Sequence, residues 1–402
     1  MTKRREKMCY LFVLFCIFAT DSMITISINT NTAFYYGFRW IAIILCPLFF
    51  IFTINVRRMS KSWTLIIGTL TISLMITALI NSDYAMVILL KLVYFLLGYC
   101  AVKFFLSKNI LKAFSNIMVV IAIISLVCYF ISLFSISVFD FLPNIRIVAA
   151  KSGRVSNFAN AIFCIIAKES WSAFPRNYGM FAEPGIYQVY IVFALIAILY
   201  GDGEKKKIKT ILLVIAMITT FSTTGYIVML CLFLFYFTTS YNTSPKVKIL
   251  SVVGTVVVVF FLVQNEFIFD TVFGKLQDSG DASTVSRLYS FPINFVVWLR
   301  NPIVGVGPVH MNDYIKSIAL SMTRSAFFHN TNTYMYTLAC FGLPVFLIEI
   351  FKGIKLAREL TGGGIFKMLG LFIVIFVCLS GENLTYSLCI EVLLFCGLFR
   401  NN

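Results

Sequence analysis

The chain reads as an all-α integral membrane protein with about twelve transmembrane helices and two long loops on one face. Three observations predict this. Of its 402 residues, 60% are hydrophobic and 12% charged, against about 45–50% and about 25% in soluble domains. Apolar runs close to the roughly 20 residues that cross a bilayer recur along the chain. Its cations, which give a net charge of +16, gather in alternate connections between those runs. The composition excludes a soluble enzyme, a disordered scaffold and a secreted disulfide domain. It predicts a single polytopic membrane domain over residues 1–402.

The runs fall near 8–28, 37–55, 63–80, 85–105, 113–136, 184–201, 208–222, 224–240, 247–265, 330–351, 367–381 and 384–399. The four short ones, 208–222, 224–240, 367–381 and 384–399, read as tight hairpins or bent segments. The first run is followed by no small-residue cleavage site and is long enough to span, so it is expected to be retained. With twelve spans and a cytoplasmic N-terminus, seven cationic segments share the inner side with the C-terminus. These are Lys3–Lys7, Arg57–Lys61, Lys103–Lys112, Lys205–Lys209, Lys246–Lys248, Lys352–Lys367 and Arg400, holding 21 of the 33 Lys and Arg. Cation retention on the inner side is the general topological bias. Most of the +16 is therefore topological, and it gives no argument for nucleic acid as a partner.

The opposite face carries the two long loops, 137–183 and 266–329. Loops of this length are usually functional or disordered. These contain apolar and aromatic stretches, Val155–Ala167 and Tyr289–Leu299, which read as amphipathic or re-entrant helices in the interface. The eleven cysteines lie almost all inside apolar runs. They read as small packing residues, with no CxxC pair or exposed disulfide.

The first loop ends in Arg176-Asn-Tyr-Gly179-Met-Phe181-Ala-Glu183-Pro184-Gly185. Pro184 suits a first helical turn. Glu183 before it reads either as a helix cap or as a base that orients or deprotonates a substrate hydroxyl. The second loop holds Ser286-Arg287, then Asn301-Pro302-Ile-Val-Gly305-Val-Gly307, and closes on His329-Asn330. His329, where a loop enters a helix, is a candidate general base or proton shuttle. His310 is the only other histidine, so a three-ligand catalytic zinc site is not expected. Arginine outnumbers lysine in the outer loops: Arg146, Arg154, Arg176, Arg287, Arg300 and Arg324 against four lysines. Planar, permanently charged guanidinium groups suit phosphate. Asp21, Lys91 and Glu391 lie inside predicted spans. Intramembrane charges pair or face a cavity, so Lys91 is expected to pair with Asp21 or Glu391.

Taken together, Arg176-x-x-Gly-x-Phe-x-Glu-Pro before a span, Ser286-Arg287 with Asn-Pro-x-x-Gly-x-Gly, and His329-Asn330 before a helix with Gly342 resemble the Wzy-type O-antigen polymerase and ligase superfamily. The resemblance covers roughly residues 176–345. It implies a metal-independent, GT-C-like glycosyltransferase without cofactor in a bacterial inner membrane, the long loops periplasmic. The implied donor is a glycan on undecaprenyl diphosphate, moved en bloc to an acceptor hydroxyl. By that resemblance Arg176 and Arg287, with Arg154 and Arg146 as helpers, hold the diphosphate. His329 or Glu183 is the base, and Asn330, Ser286, Lys91 and Asp21 support them. Eleven residues separate Asn330 from Gly342, a longer interval than in the ligase pattern, and that pattern's next glycine is absent. This favours a polymerase, which takes a second lipid-linked repeat as acceptor and works with a chain-length regulator. A ligase acting on lipid A core is the alternative. A flippase for the same lipid-linked glycan is the reading from another class, although no internal repeat of the transporter kind occurs.

Overall fold

The computed structural model describes residues 3–23, 32–54, 61–82, 85–148, 155–168, 175–201, 205–239, 246, 253, 282–323, 328 and 330–398. The expected span at 247–265, Arg154 and His329 lie outside them, and Arg146 is described in its backbone alone. The chain is mostly helical. It divides into two compact units.

The first unit comprises Met1–Glu6, Tyr36–Ile110 and Asp278–Asn402. It contains most of α2 (Thr32–Ile54), then α3 (Lys61–Asn81) and α4 (Ala85–Phe105). After the second loop come α9 (Ala282–Trp298), α10 (Pro308–Thr323), α11 (Thr333–Thr361), α12 (Ile365–Ser380) and α13 (Leu388–Phe395). The second unit comprises Lys7–Tyr35 and Leu111–Gln277. It holds most of α1 (Lys3–Thr20) and α5 (Ser107–Phe134), a three-stranded sheet, α6 (Pro184–Tyr200), α7 (Lys206–Thr219) and α8 (Thr223–Thr239).

Eleven of the twelve expected spans coincide with helices. Among the described residues three helices are long and apolar enough to cross a membrane: Met86–Phe105, Ser107–Phe134 and Thr333–Thr361. The last expected span shrinks to α13, eight residues long, or about 12 Å at 1.5 Å per residue. The expected span 330–351 instead grows to the 29 residues of α11. This relocates one cation. Lys352 was expected in an inner loop but lies inside α11 and is fully buried, because Glu349 one turn earlier and Glu391 neutralise it there.

The first long loop also corrects the sequence reading. Val155–Ala167 forms no interfacial helix. Val155–Asn160 (β2) and Ile165–Ala167 (β3) are antiparallel strands, with Asn144–Val148 (β1) on the far side of β2. β-branched residues dominate β1 and β3 and favour the extended backbone. The β2–β3 turn is local: the Asn160 side chain accepts from the Ile162 amide at 2.8 Å, while Ile162 takes a positive φ, as in an Asx turn. Strand alternation sends Ala159 and Ile166 into a cluster with Phe139 and Cys164, and Phe158 and Ile165 into another with Met23. Both faces of the sheet are thus covered.

In the first unit, α11 is one long helix with a break at Gly342, whose φ is +79°. The turn Asn301–Gly307 fills the break. Val306 and Gly307 amides donate to the Ala339 and Cys340 carbonyls at 2.9 Å each, and the Leu343 amide donates to the Pro302 carbonyl. Glycine is required at Gly342 and Gly305. Both have positive φ, and a Cβ at either would overlap backbone of the opposite segment. The Asn-Pro-x-x-Gly-x-Gly motif and Gly342 are therefore two halves of one joint.

Candidate active site

The sequence-selected residues fall into one cluster in each unit. In the second unit, the segment 176–183 packs against the sheet and the start of α6. Gly179 needs its glycine, because φ is +56° and the Tyr187 ring occupies the place of a side chain. Phe181 is fully buried and stacks on Tyr187, with Tyr190 at 4.4 Å between centroids. Tyr190 donates to the buried Asp21 carboxylate, which also accepts from Thr20 at 2.9 Å. Met23 and Ser22 pair with Met180 and Phe181 through backbone. Asp21 therefore braces the segment from below.

Arg176 is half-buried. Its Nε and Nη2 donate to the carbonyls of Thr220 and Phe221, at 2.9 and 3.1 Å. It thus caps the α7–α8 turn as well as carrying charge. Asn177, which sequence reasoning passed over, is buried at the centre. Its side chain bonds Ser125, Thr219 and the Gly179 amide. Glu183 occupies the cap position of α6 but makes no side-chain cap bond, and it is exposed. Burial raises the Tyr178 phenol above its ordinary pKa, Arg176 opposes this and Glu183 adds to it. The phenol thus stays a neutral hydroxyl at working pH.

In the first unit, α9 is amphipathic in reverse. Ser286, Ser290 and Asn294 are buried, whereas Leu288, Phe291, Phe295 and Val296 are exposed. Ile293 and Val297 are buried with them, and α9 covers most of Tyr289–Leu299, where a helix is expected. Its polar face meets Asn330 and Thr331. Arg287, next to Ser286, is 30% exposed and lies 3.6 Å from the buried Glu382 carboxylate. Thr333, at the start of α11, donates to the Glu382 carbonyl and accepts from the Leu384 amide at 2.9 Å. Asn332 caps α11 through the Met335 amide.

Beneath this lies a buried ion network. Lys91 is 3.0 Å from Glu349 and 3.2 Å from Glu391, and it donates to the Thr385 carbonyl at 3.0 Å. Lys352 completes it with both acids. Of the two partners expected for Lys91, the structure selects Glu391 and adds Glu349. Asp21 belongs to the other unit. Sequence reading missed Glu349 and Glu382, although Glu349-x-x-Lys352 inside an apolar run was a visible signal. His310, on α10, bonds the Asn81 carbonyl through Nε2 at 2.9 Å and is exposed. Among the described residues no group of three or more His, Cys, Asp or Glu could hold a metal ion.

Residues 208–350 match the O-antigen ligase family. This match is consistent with the O-antigen polymerase and ligase superfamily that the motifs resemble. The match takes in α9, the 301–307 turn and the first half of α11, hence Ser286, Arg287, Asn330 and Gly342. The Arg176–Glu183 segment lies before it. No curated protein matches the chain.

Proposed function

We propose that the chain is a polymerase of this superfamily. It joins undecaprenyl-diphosphate-linked repeat units en bloc at the periplasmic face of a twelve-span inner-membrane fold and releases undecaprenyl diphosphate. The observation that carries the reading is Arg287. It is a part-exposed guanidinium beside the buried Glu382 carboxylate, on a helix that exposes apolar side chains, inside the stretch matching a family of glycan-transferring enzymes. The leaving group is an anionic diphosphate, so it needs charge stabilisation more than protonation, and a fixed guanidinium supplies that. Arg176, in the second unit, is the other candidate that the motif resemblance offers for the diphosphate, with Arg146 and Arg154 as helpers. His329 or the exposed Glu183 takes the proton from the acceptor hydroxyl. The hydroxyl oxygen then bonds the anomeric carbon as its bond to the diphosphate breaks, through an oxocarbenium-like transition state. No step calls for a metal or a cofactor.

A second reading is favoured by the family matched: a ligase moving the glycan to lipid A core. Alanine at Arg176, Arg287 and His329 in the native host separates the two by the surface-glycan ladder. Loss of a polymerase leaves one repeat on the core. Loss of a ligase removes that repeat and accumulates lipid-linked polymer. A normal ladder from all three variants overturns the site assignment. Purified protein that extends lipid-linked repeats in detergent excludes a flippase, which needs two compartments.

A further inference from the structure

We propose that Asn294 is a positioning residue for Arg287, acting through a two-sided clamp made by residues 330–333; this rests on the glycosyl-transfer reading above. Ser286, Ser290 and Asn294 are four residues apart and line one edge of α9, each at most 2% exposed. Asn294 and Asn330 form a reciprocal amide pair. Asn294 Nδ2 donates to Asn330 Oδ1 at 3.1 Å, and Asn330 Nδ2 donates to Asn294 Oδ1 at 2.8 Å. One turn earlier on α9, Ser290 Oγ accepts from the Thr331 amide at 3.0 Å. This is the first jaw of the clamp, and it holds the helix that carries Arg287.

Thr333 is the second jaw. Its hydroxyl donates to the Glu382 carbonyl and accepts from the Leu384 amide, and its own carbonyl accepts from Thr385 Oγ1 at 3.3 Å. The turn so held presents the Glu382 carboxylate 3.6 Å from Arg287 Nη2. Four consecutive residues thus fix both the helix under Arg287 and the carboxylate that orients its guanidinium. Asn294 is the deepest contact of the first jaw and has no exposed surface, so no water replaces its bonds. An apolar side chain of equal size fills the same volume but takes the acceptor from the buried Asn330 Nδ2 and leaves Asn330 Oδ1 only the Asn332 amide. That frees the segment between the jaws.

The test uses the full-length protein in detergent and a lipid-linked repeat as substrate. Asn294→Leu is expected to lower kcat about tenfold or more, as sub-ångström misplacement of a charge-stabilising group does, and to leave the donor KM within about twofold. Wild-type kcat in Asn294→Leu overturns the proposal. Should that variant fail to fold, Ser290→Ala, which releases Thr331 and the Ser286 carbonyl but keeps both members of the Asn294–Asn330 pair, carries the same prediction. In parallel, Asn294→Ala, Asn330→Ala and the double variant are melted. Direct pairing makes the double loss smaller than the sum of the single losses, and additive losses overturn the clamp. A wild-type protein that transfers nothing overturns the functional reading and the positioning role with it. Coupling in the melting cycle then identifies that failure as one of the reading, not of the clamp.

Discussion

Arg287 and Lys91 show how differently two cations serve one unit. Arg287 keeps part of its surface open and faces a single carboxylate across 3.6 Å, so it has donors to offer a ligand. Its planar fork matches a diphosphate in a way an ammonium does not. Arg287→Lys is therefore expected to reduce the glycan ladder as severely as Arg287→Ala, and a ladder of normal length from the lysine variant refutes the bidentate role. Lys91 is 2% exposed and fully engaged, so its role is structural. Lys91→Ala leaves Glu349 and Glu391 to share Lys352 alone, with one buried negative charge uncompensated, and should cost about 3–5 kcal/mol, read as a loss of melting stability in detergent. The sequence made the Lys91–Glu391 pairing legible, because both residues interrupt apolar runs at similar depth. It hid Lys352, which sits near other cations and counts with them until the length of α11 is known. It hid Glu382 too, since only the fold brings that turn to Arg287.

At the scale of elements, the helices were legible because apolar runs of span length have few other solutions in a bilayer. The sheet in the first loop was not. Its strands are three to six residues long, too short for a period of two to outvote overall hydrophobicity. The joint between α11 and the 301–307 turn is the element on which the first unit most depends. Gly342→Ala places a side chain at positive φ against the Ile303 carbonyl. Strain and overpacking together should cost roughly 2–4 kcal/mol. The check is melting stability together with transfer, and a variant with wild-type melting would mean that the turn does not seat in the break. Pro344, two residues on, is harmless by contrast, because its ring meets a helix already interrupted.

For the whole molecule, the orientation reading makes a prediction that needs no activity. On that reading Ile162, in the exposed β2–β3 turn, lies on the outer face, and Lys207, at the start of α7, lies on the inner face. With a membrane-impermeant maleimide on intact spheroplasts, Ile162→Cys should label and Lys207→Cys should label only after permeabilisation. The opposite pattern inverts the topology and moves the proposed chemistry to the wrong face. Charge bookkeeping made this reading accessible, since segments holding 21 of the 33 cations are expected on one side. The same bookkeeping is silent on which cations the fold buries, because burial depends on partners far away in the chain.

The break in α11 also bears on how the protein is made. Gly342 follows Thr333 by nine positions in the chain, about 14 Å of helix at 1.5 Å per residue. That is close to half of a roughly 30 Å hydrocarbon layer. Carbonyls released at such depth find no water, and the amides that satisfy them come from a turn some thirty-five residues upstream. Synthesis therefore delivers the acceptors after the donors. The leading half of α11 is thus synthesised after the turn that fills its break, and docking of the two is expected to accompany insertion. Lengthening the chain between Gly307 and Asn330 should then slow accumulation of the protein in the membrane while leaving the finished joint unchanged.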